Sequence, residues 1–187
     1  HVRVWPQRLF DYSVPLDDAG RHRWGPIAPH AHVEVELEQP NLRWCGHAYL
    51  DSNEGDEPID AAFVHWDWSR TPWPDGSTEV TYDLQWSPTQ ERVLRLRFAP
   101  DGKVEPLPLT PAQALPKTAW RIARRMRSAE PVRVHSQLED TPFYQRCLLS
   151  HRVMQQDALA FHETLSVPRL VSPVVQAMLP WRMPRRA

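Results

Sequence analysis

Glu79-Val-Thr-Tyr-Asp-Leu-Gln-Trp86 and Arg92-Val-Leu-Arg-Leu-Arg-Phe98 alternate apolar and polar residues with a period of two. Successive side chains of a β-strand point to opposite faces, so Val80, Tyr82, Leu84 and Trp86 share one face, as do Leu94, Leu96 and Phe98. His32-Val-Glu-Val-Glu-Leu-Glu38 has the same rhythm, with Val33, Val35 and Leu37 opposite the charges. Asp75-Gly76 and Asp101-Gly102 fall between such runs and read as hairpin turns.

Twenty prolines against six glycines extend this reading over most of the chain. Prolines at positions 6, 15, 26, 29, 40, 58, 72, 74, 88, 100, 106, 108, 111 and 116 leave no room for an ordinary helix, so the first 116 residues are expected as strands and loops. Trp120-Arg-Ile-Ala-Arg-Arg-Met-Arg127 is expected as a strand paired with Val132-Arg-Val-His-Ser-Gln-Leu138. Residues 143–165 read as a further strand pair. Ser172-Pro-Val-Val-Gln-Ala-Met-Leu179 reads as a short C-terminal helix, with a serine cap and proline at its first position. Many short strands with turn signals between them predict an all-β antiparallel barrel or sandwich.

At 187 residues the chain suits one domain with a sizeable core. A net charge of -1 gives no reason to expect nucleic acid as a partner. Two cysteines, Cys45 and Cys147, make no framework, which points to a reducing cytoplasm. No apolar run approaches the ~18 residues of a membrane span. The chain begins at His1 and carries its four methionines beyond residue 120, so it is expected to be a fragment lacking an amino-terminal part.

Chemistry concentrates in Trp44-Cys-Gly-His-Ala-Tyr-Leu-Asp51. On a strand, Cys45, His47, Tyr49 and Asp51 share one face, at two-residue steps of roughly 6.5–7 Å. The row is either a set of proton donors and acceptors or a solvent-facing polar edge. His22 and Trp24 form a second alternating pair, readable also as a loop histidine beside a core tryptophan. His30, His32 and His47 match no metal-binding spacing, and no metal is expected. There is no serine elbow and no glycine cradle for phosphate. Asp67, between Trp66 and Trp68, is expected to hold the Ser69-Arg70 corner by an ion pair.

Gly46-His-Ala-Tyr-Leu-Asp-Ser-Asn-Glu-Gly-Asp-Glu-Pro58, Trp66-Asp-Trp-Ser-Arg70 and His22-Arg-Trp-Gly-Pro-Ile-Ala-Pro29 resemble the carotenoid 1,2-hydratases, also called hydroxyneurosporene synthases. Leu138-Glu-Asp-Thr-Pro-Phe-Tyr144 and Met178-Leu-Pro-Trp-Arg-Met-Pro184 are similar to that family too, so the resemblance runs through nearly the whole chain. It implies a tandem lipocalin-like β-barrel architecture with residues 1–187 as the carboxy-terminal part. It also implies cofactor-independent addition of water to the terminal C1=C2 bond of acyclic carotenoids such as neurosporene or lycopene. The family's H-x-W pair falls on His22 and Trp24, and its Y-x-D pair on Tyr49 and Asp51.

On that reading Asp51, kept protonated by burial, protonates C2. The rings of Trp24 and Tyr49 face the resulting tertiary cation. Water attacks C1, and His22 or the Asp51 carboxylate takes the surplus proton. His47, Trp66 and Trp68 are expected around the substrate. Such a substrate resides in a membrane, so the C-terminal helix with Trp181-Arg-Met-Pro-Arg-Arg186 is expected either to touch the inner, photosynthetic membrane peripherally or to pack on the barrel. A non-catalytic lipocalin-like carrier of hydrophobic ligands is the rival reading, and Asp51 separates the two: a carrier has no use for an acid there. A carbohydrate-binding or hydrolytic sandwich is the third.

Overall fold

A computed structural model describes residues 1–181. Among them run β1 (Val2–Pro6), β2 (Val14–Pro15), β3 (His22–Leu37), β4 (Leu42–Gly55), α1 (Ile59–Ala62), β5 (His65–Pro72), β6 (Thr78–Ser87), β7 (Gln90–Phe98) and β8 (Val104–Pro106). There follow β9 (Ala112–Ala114), β10 (Arg125–Arg127), β11 (Arg133–Asp140), β12 (Tyr144–Val153), β13 (Gln156–Ser166), α2 (Val167–Leu170) and α3 (Pro173–Met178). The fold is all-β and antiparallel, as the alternation predicts.

The larger sheet has the order β11-β12-β13-β5-β6-β7-β8. The smaller is built on β3, which carries β4 along one edge and both β1 and β2 along the other. Gly76 and Gly102 close the two expected turns at φ 81° and 96°, which a residue with a Cβ rarely adopts. The prolines exclude long helices but do not cut β3. Its register to β4 shifts between Pro26 and Ala28 and again between Ala28 and Ala31. Such bulges absorb a residue that has no N–H to give a ladder, so the 16-residue strand passes through Pro26 and Pro29.

The sheets face each other across an aromatic core. Val80, Tyr82 and Leu84 pack with Trp68, Leu96, Phe98 and Leu165 from the large sheet and with Trp24 from the small one. Trp24 meets Tyr82 and Phe98 edge-on, with ring centroids 5.1 and 6.0 Å apart. Such pairs contribute about 0.5–1.5 kcal/mol each beyond their burial.

The faces of β5 and β6 turned away from the aromatic core are polar but not solvated. Asp67, Ser69, Thr71, Glu79, Thr81 and Asp83 are all buried. The strap that carries β9 and β10 covers them, with Leu115 and Met126 packed on Cys147, Leu149 and Ala160. Arg125 and Arg127 reach from β10 to opposite oxygens of Asp83, at 2.6 and 2.9 Å. Arg124 donates to Pro116 O, Gln137 Oε1 and Gln145 Oε1 at 2.7–3.0 Å.

The expected strand at residues 120–127 is shorter than predicted and has another partner. Only Arg125–Arg127 is extended, and it pairs with Ala112–Ala114. Arg121 at φ 58° and the Thr118 hydroxyl, which accepts from the Ile122 N–H at 3.1 Å, turn the chain just before it. The predicted partner segment pairs instead with β12. The strand pair at 144–166 and the helix at Pro173–Met178 form as expected. Among the described residues no helix is long and apolar enough to cross a membrane. Of the basic, aromatic tail expected at a membrane, residues 182–186 lie outside the described residues.

Asp83 ties the strap to the sheet, and removing one member of a buried ion cluster leaves the others uncompensated. Asp83→Ala is expected to lower stability by about 3 kcal/mol or more in urea unfolding. A change under about 0.5 kcal/mol, typical of a surface site, would show that the strap is not held this way.

Candidate active site

β4 builds one wall of a cavity of about 440 Å³ between the sheets. His47, Tyr49, Asp51 and Asn53 enter it at two-residue spacing, with Trp66, Trp68 and Arg70 of β5 opposite. Tyr82 of β6, Arg146 of β12, and Phe161 and Glu163 of β13 complete the lining. The polar row is therefore an inward face where it carries Tyr49 and Asp51, both half-buried, while Cys45 and His47 lie exposed at its outer end.

Two donors converge on one oxygen of Asp51. Trp24 Nε1–H reaches Oδ2 at 2.8 Å and the Tyr49 hydroxyl reaches the same atom at 2.9 Å. The indole N–H can only donate and the Tyr49 O–H donates as well, so Oδ2 accepts both bonds and its lone pairs are used. A proton on this carboxyl belongs on Oδ1. Burial, then the neighbouring Asp51 carboxylate, push the Tyr49 hydroxyl far above the ordinary phenol range, so it stays a donor. Tyr82 is raised by burial and then by Asp51.

Trp24 itself lies behind Asp51 and is 1% exposed. It touches the carboxylate and is not among the residues that line the cavity. Trp68 lies 5.1 Å from the Tyr49 ring and 6.3 Å from Phe161. The Arg70 guanidinium lies over the Tyr49 ring at 5.5 Å and donates to Ala48 O at 3.0 Å. The expected Asp67–Arg70 pair is not made. Residues 67 and 70 differ in parity and face opposite sides of β5, where Asp67 takes the Thr164 hydroxyl at 2.6 Å.

His22 shares a strand face with Trp24 as predicted, but the structure does not bring it to Asp51. It lines a neighbouring recess that shares only Asn53 and Trp66 with the cavity. Its Nδ1 lies 2.7 Å from Asp17 Oδ2 and its Nε2 lies 3.2 Å from Glu57 O. Burial works against the Asp17 charge, yet bonds from the His22 ring and the Arg21 and His22 amides hold its carboxyl below the usual range. His47 rests on His30, ring centroids 5.4 Å apart. Burial first, then His47 and Arg70, lower His30. Among the described residues no three His, Cys, Asp or Glu side chains gather as metal ligands.

Asn53, Arg70, Tyr82, Arg146, Phe161 and Glu163 also line the cavity but were not singled out as site residues by the sequence, Tyr82 having been placed only on the apolar face of its strand. Only Asn53 carried a signal, being the next step of the alternation after Asp51.

A family model described as carotenoid hydratase CrtC matches residues 1–187. The chain belongs to that family. An acyclic carotenoid 1,2-hydratase of Rubrivivax gelatinosus is 51% identical over 188 residues, spanning 100% of this chain and 46% of that protein. A hydratase of the same name from Thiocapsa roseopersicina is 48% identical, over 98% of this chain and 46% of its own length. One from Cereibacter sphaeroides is 35% identical, over 99% and 66%. The chain thus spans about half the length of the first two relatives. The crystal structure of an AttH-assigned protein from Nitrosomonas europaea superposes with a TM-score of 0.63 at 13% identity, covering 88% of this chain and 60% of that one. That likeness is one of fold, and this CrtC-family chain is lipocalin-like.

A carboxylate held below its unfolded value contributes stability that is complete above about pH 4 and drains away as pH falls through the lowered folded value. The urea midpoint should therefore fall less steeply below about pH 4 for Asp17→Asn than for the wild type. Parallel slopes would mean that Asp17 is not depressed.

Proposed function

We propose that this chain is the carboxy-terminal, catalytic part of a hydratase that adds water across the terminal C1=C2 bond of an acyclic carotenoid by acid–base catalysis, without a cofactor. The observation that carries the reading is the double hydrogen bond on Asp51 Oδ2. It leaves Oδ1 as the oxygen that gives and receives a proton at the cavity.

Asp51 Oδ1–H protonates C2, and the π electrons of C1=C2 form the new C2–H bond. The positive charge is left on C1, which is tertiary. Trp66 and Trp68 present π faces to it, an interaction worth up to about 2 kcal/mol in a desolvated site. Water then bonds to C1 and its surplus proton returns to Asp51 Oδ1, so the acid is regenerated and one water is gained. His22, with both ring nitrogens engaged beside Asp17 and Glu57, acts in this scheme by anchoring the start of β3, two residues from Trp24. A cavity of about 440 Å³ holds the end of a long polyene rather than the whole of it.

The test uses the whole protein that carries this chain, with lycopene or neurosporene in liposomes and product mass read by chromatography. Asp51→Asn should lower hydration by about 10²–10⁴-fold with carotenoid binding retained. Trp24→Phe keeps an aromatic ring but drops one donor, freeing Oδ2 to take the proton, and should cost about tenfold to a hundredfold. A wild type that binds carotenoid without adding water would make the protein a carrier.

A further inference from the structure

We infer that Asn53 holds and aims the water that attacks C1, with Tyr82 as the residue that sets its orientation. The inference rests on the hydratase reading and names the group that manages its second reactant.

Asn53 follows Asp51 by two residues on β4, so both side chains leave the same strand face about 6.5–7 Å apart. A single water accepting from one side chain and donating to the other spans about 5.5–6 Å between heavy atoms, which that separation accommodates. The amide is oriented: the Tyr82 hydroxyl donates to Asn53 Oδ1 at 3.0 Å. Oδ1 being held, the NH₂ group takes the remaining direction, and no hydrogen bond joins Nδ2 to another described side chain or backbone group. Tyr82 is 5% exposed, packed against Trp24 and Trp68, and so is itself well fixed. Asn53 also lines both the Asp51 cavity and the recess over His22. Asn53 is exposed to solvent and so stands where water reaches the cavity beside Asp51, opposite a wall that carries Arg70, Arg146 and Glu163 as well as aromatic rings.

The chemistry needs such a group. An amide N–H donated to the water oxygen leaves a lone pair for C1 and directs an O–H towards Asp51 Oδ1, which has just lost its proton. An amide has no charge to neutralise the cation and no basicity to take its proton. A carboxylate at position 53 would instead compete with Asp51 for protons. Without the held water, the cation at C1 has one short way back: C2 returns a proton to Asp51 and the alkene is restored.

That branch supplies a readout that a merely structural role would not move. The whole protein is assayed with carotenoid in liposomes made up in D₂O. Deuterium at C2 of recovered carotenoid counts protonation followed by return, and hydrated product counts capture by water. Asn53→Leu should lower hydration by about tenfold or more and raise the ratio of deuterated alkene to hydrated product by a similar factor. Tyr82→Phe, which removes one hydroxyl and keeps the ring, should shift the ratio in the same direction by a smaller factor and serves if Asn53→Leu fails to fold. Asn53→Gln should recover part of the loss. Exchange and hydration falling together, with the ratio unchanged in folded Asn53→Leu and Tyr82→Phe, would overturn the inference, as would undiminished hydration. A wild type that neither exchanges deuterium nor adds water would sink the hydratase reading first, and this inference with it.

Discussion

Two hydrogen bonds meeting on Asp51 Oδ2 tie the site to the architecture. One comes from Tyr49, on the strand that carries Asp51, and the other from Trp24, across the sheet on β3. For Trp24 Nε1 to arrive there, its ring must be wedged among Tyr82 and Phe98 of the opposite sheet. The carboxyl is therefore oriented by the same packing that holds the two sheets together. Preorganisation of this kind works because the supporting rings have no room to move in a close-packed core. It also separates Trp24 from Trp66 and Trp68: the first acts on the acid, the others on the space in front of it.

The opposite face of the large sheet is managed by different physics. Asp67, Glu79, Thr81 and Asp83 are under cover, so each needs partners. Arg95 makes two bonds to Glu79, and Arg125 and Arg127 share Asp83 and Glu91. His162, fully buried, accepts from Gln145 at Nδ1 and donates from Nε2 to Arg125 O, and burial lowers it towards the neutral form. This polar layer fastens the strap of residues 107–131 and leaves the inter-sheet face to the aromatic residues. The division gives the inter-sheet face a rigid backing.

Within the cavity, the aromatic walls come from the large sheet, which also brings Arg70, Arg146 and Glu163. Tyr49, Asp51 and Asn53 descend one strand, while Trp66, Trp68 and Phe161 form the facing walls. On the proposed mechanism a double bond placed between them would meet Asp51 and Asn53 on one side and aromatic rings on the other. In that proposal the proton and the water come from the same side of the alkene, which would allow one carboxyl to give the first proton and collect the last.

Local periodicity was enough to read the strands, the hairpins at Gly76 and Gly102, the C-terminal helical turn and the shared face of Tyr49 and Asp51. Each of these depends on neighbours a few residues away. The blocks around His22, Tyr49 and Trp66 were enough to place the family. Where the alternation pattern misled, long-range contacts had taken over. The polar outer face of β5 and β6 is buried by a strap some forty residues further on, which local alternation does not reveal. Asp67 could not reach Arg70 because strand parity sends them to opposite faces, and His22 was drawn into a recess by Asp17 and Glu57. Sequence by itself determined which residues share a face. Only the tertiary structure decided which faces meet, because Trp24 to Asp51 and Tyr82 to Asn53 are contacts between strands whose approach no local pattern encodes.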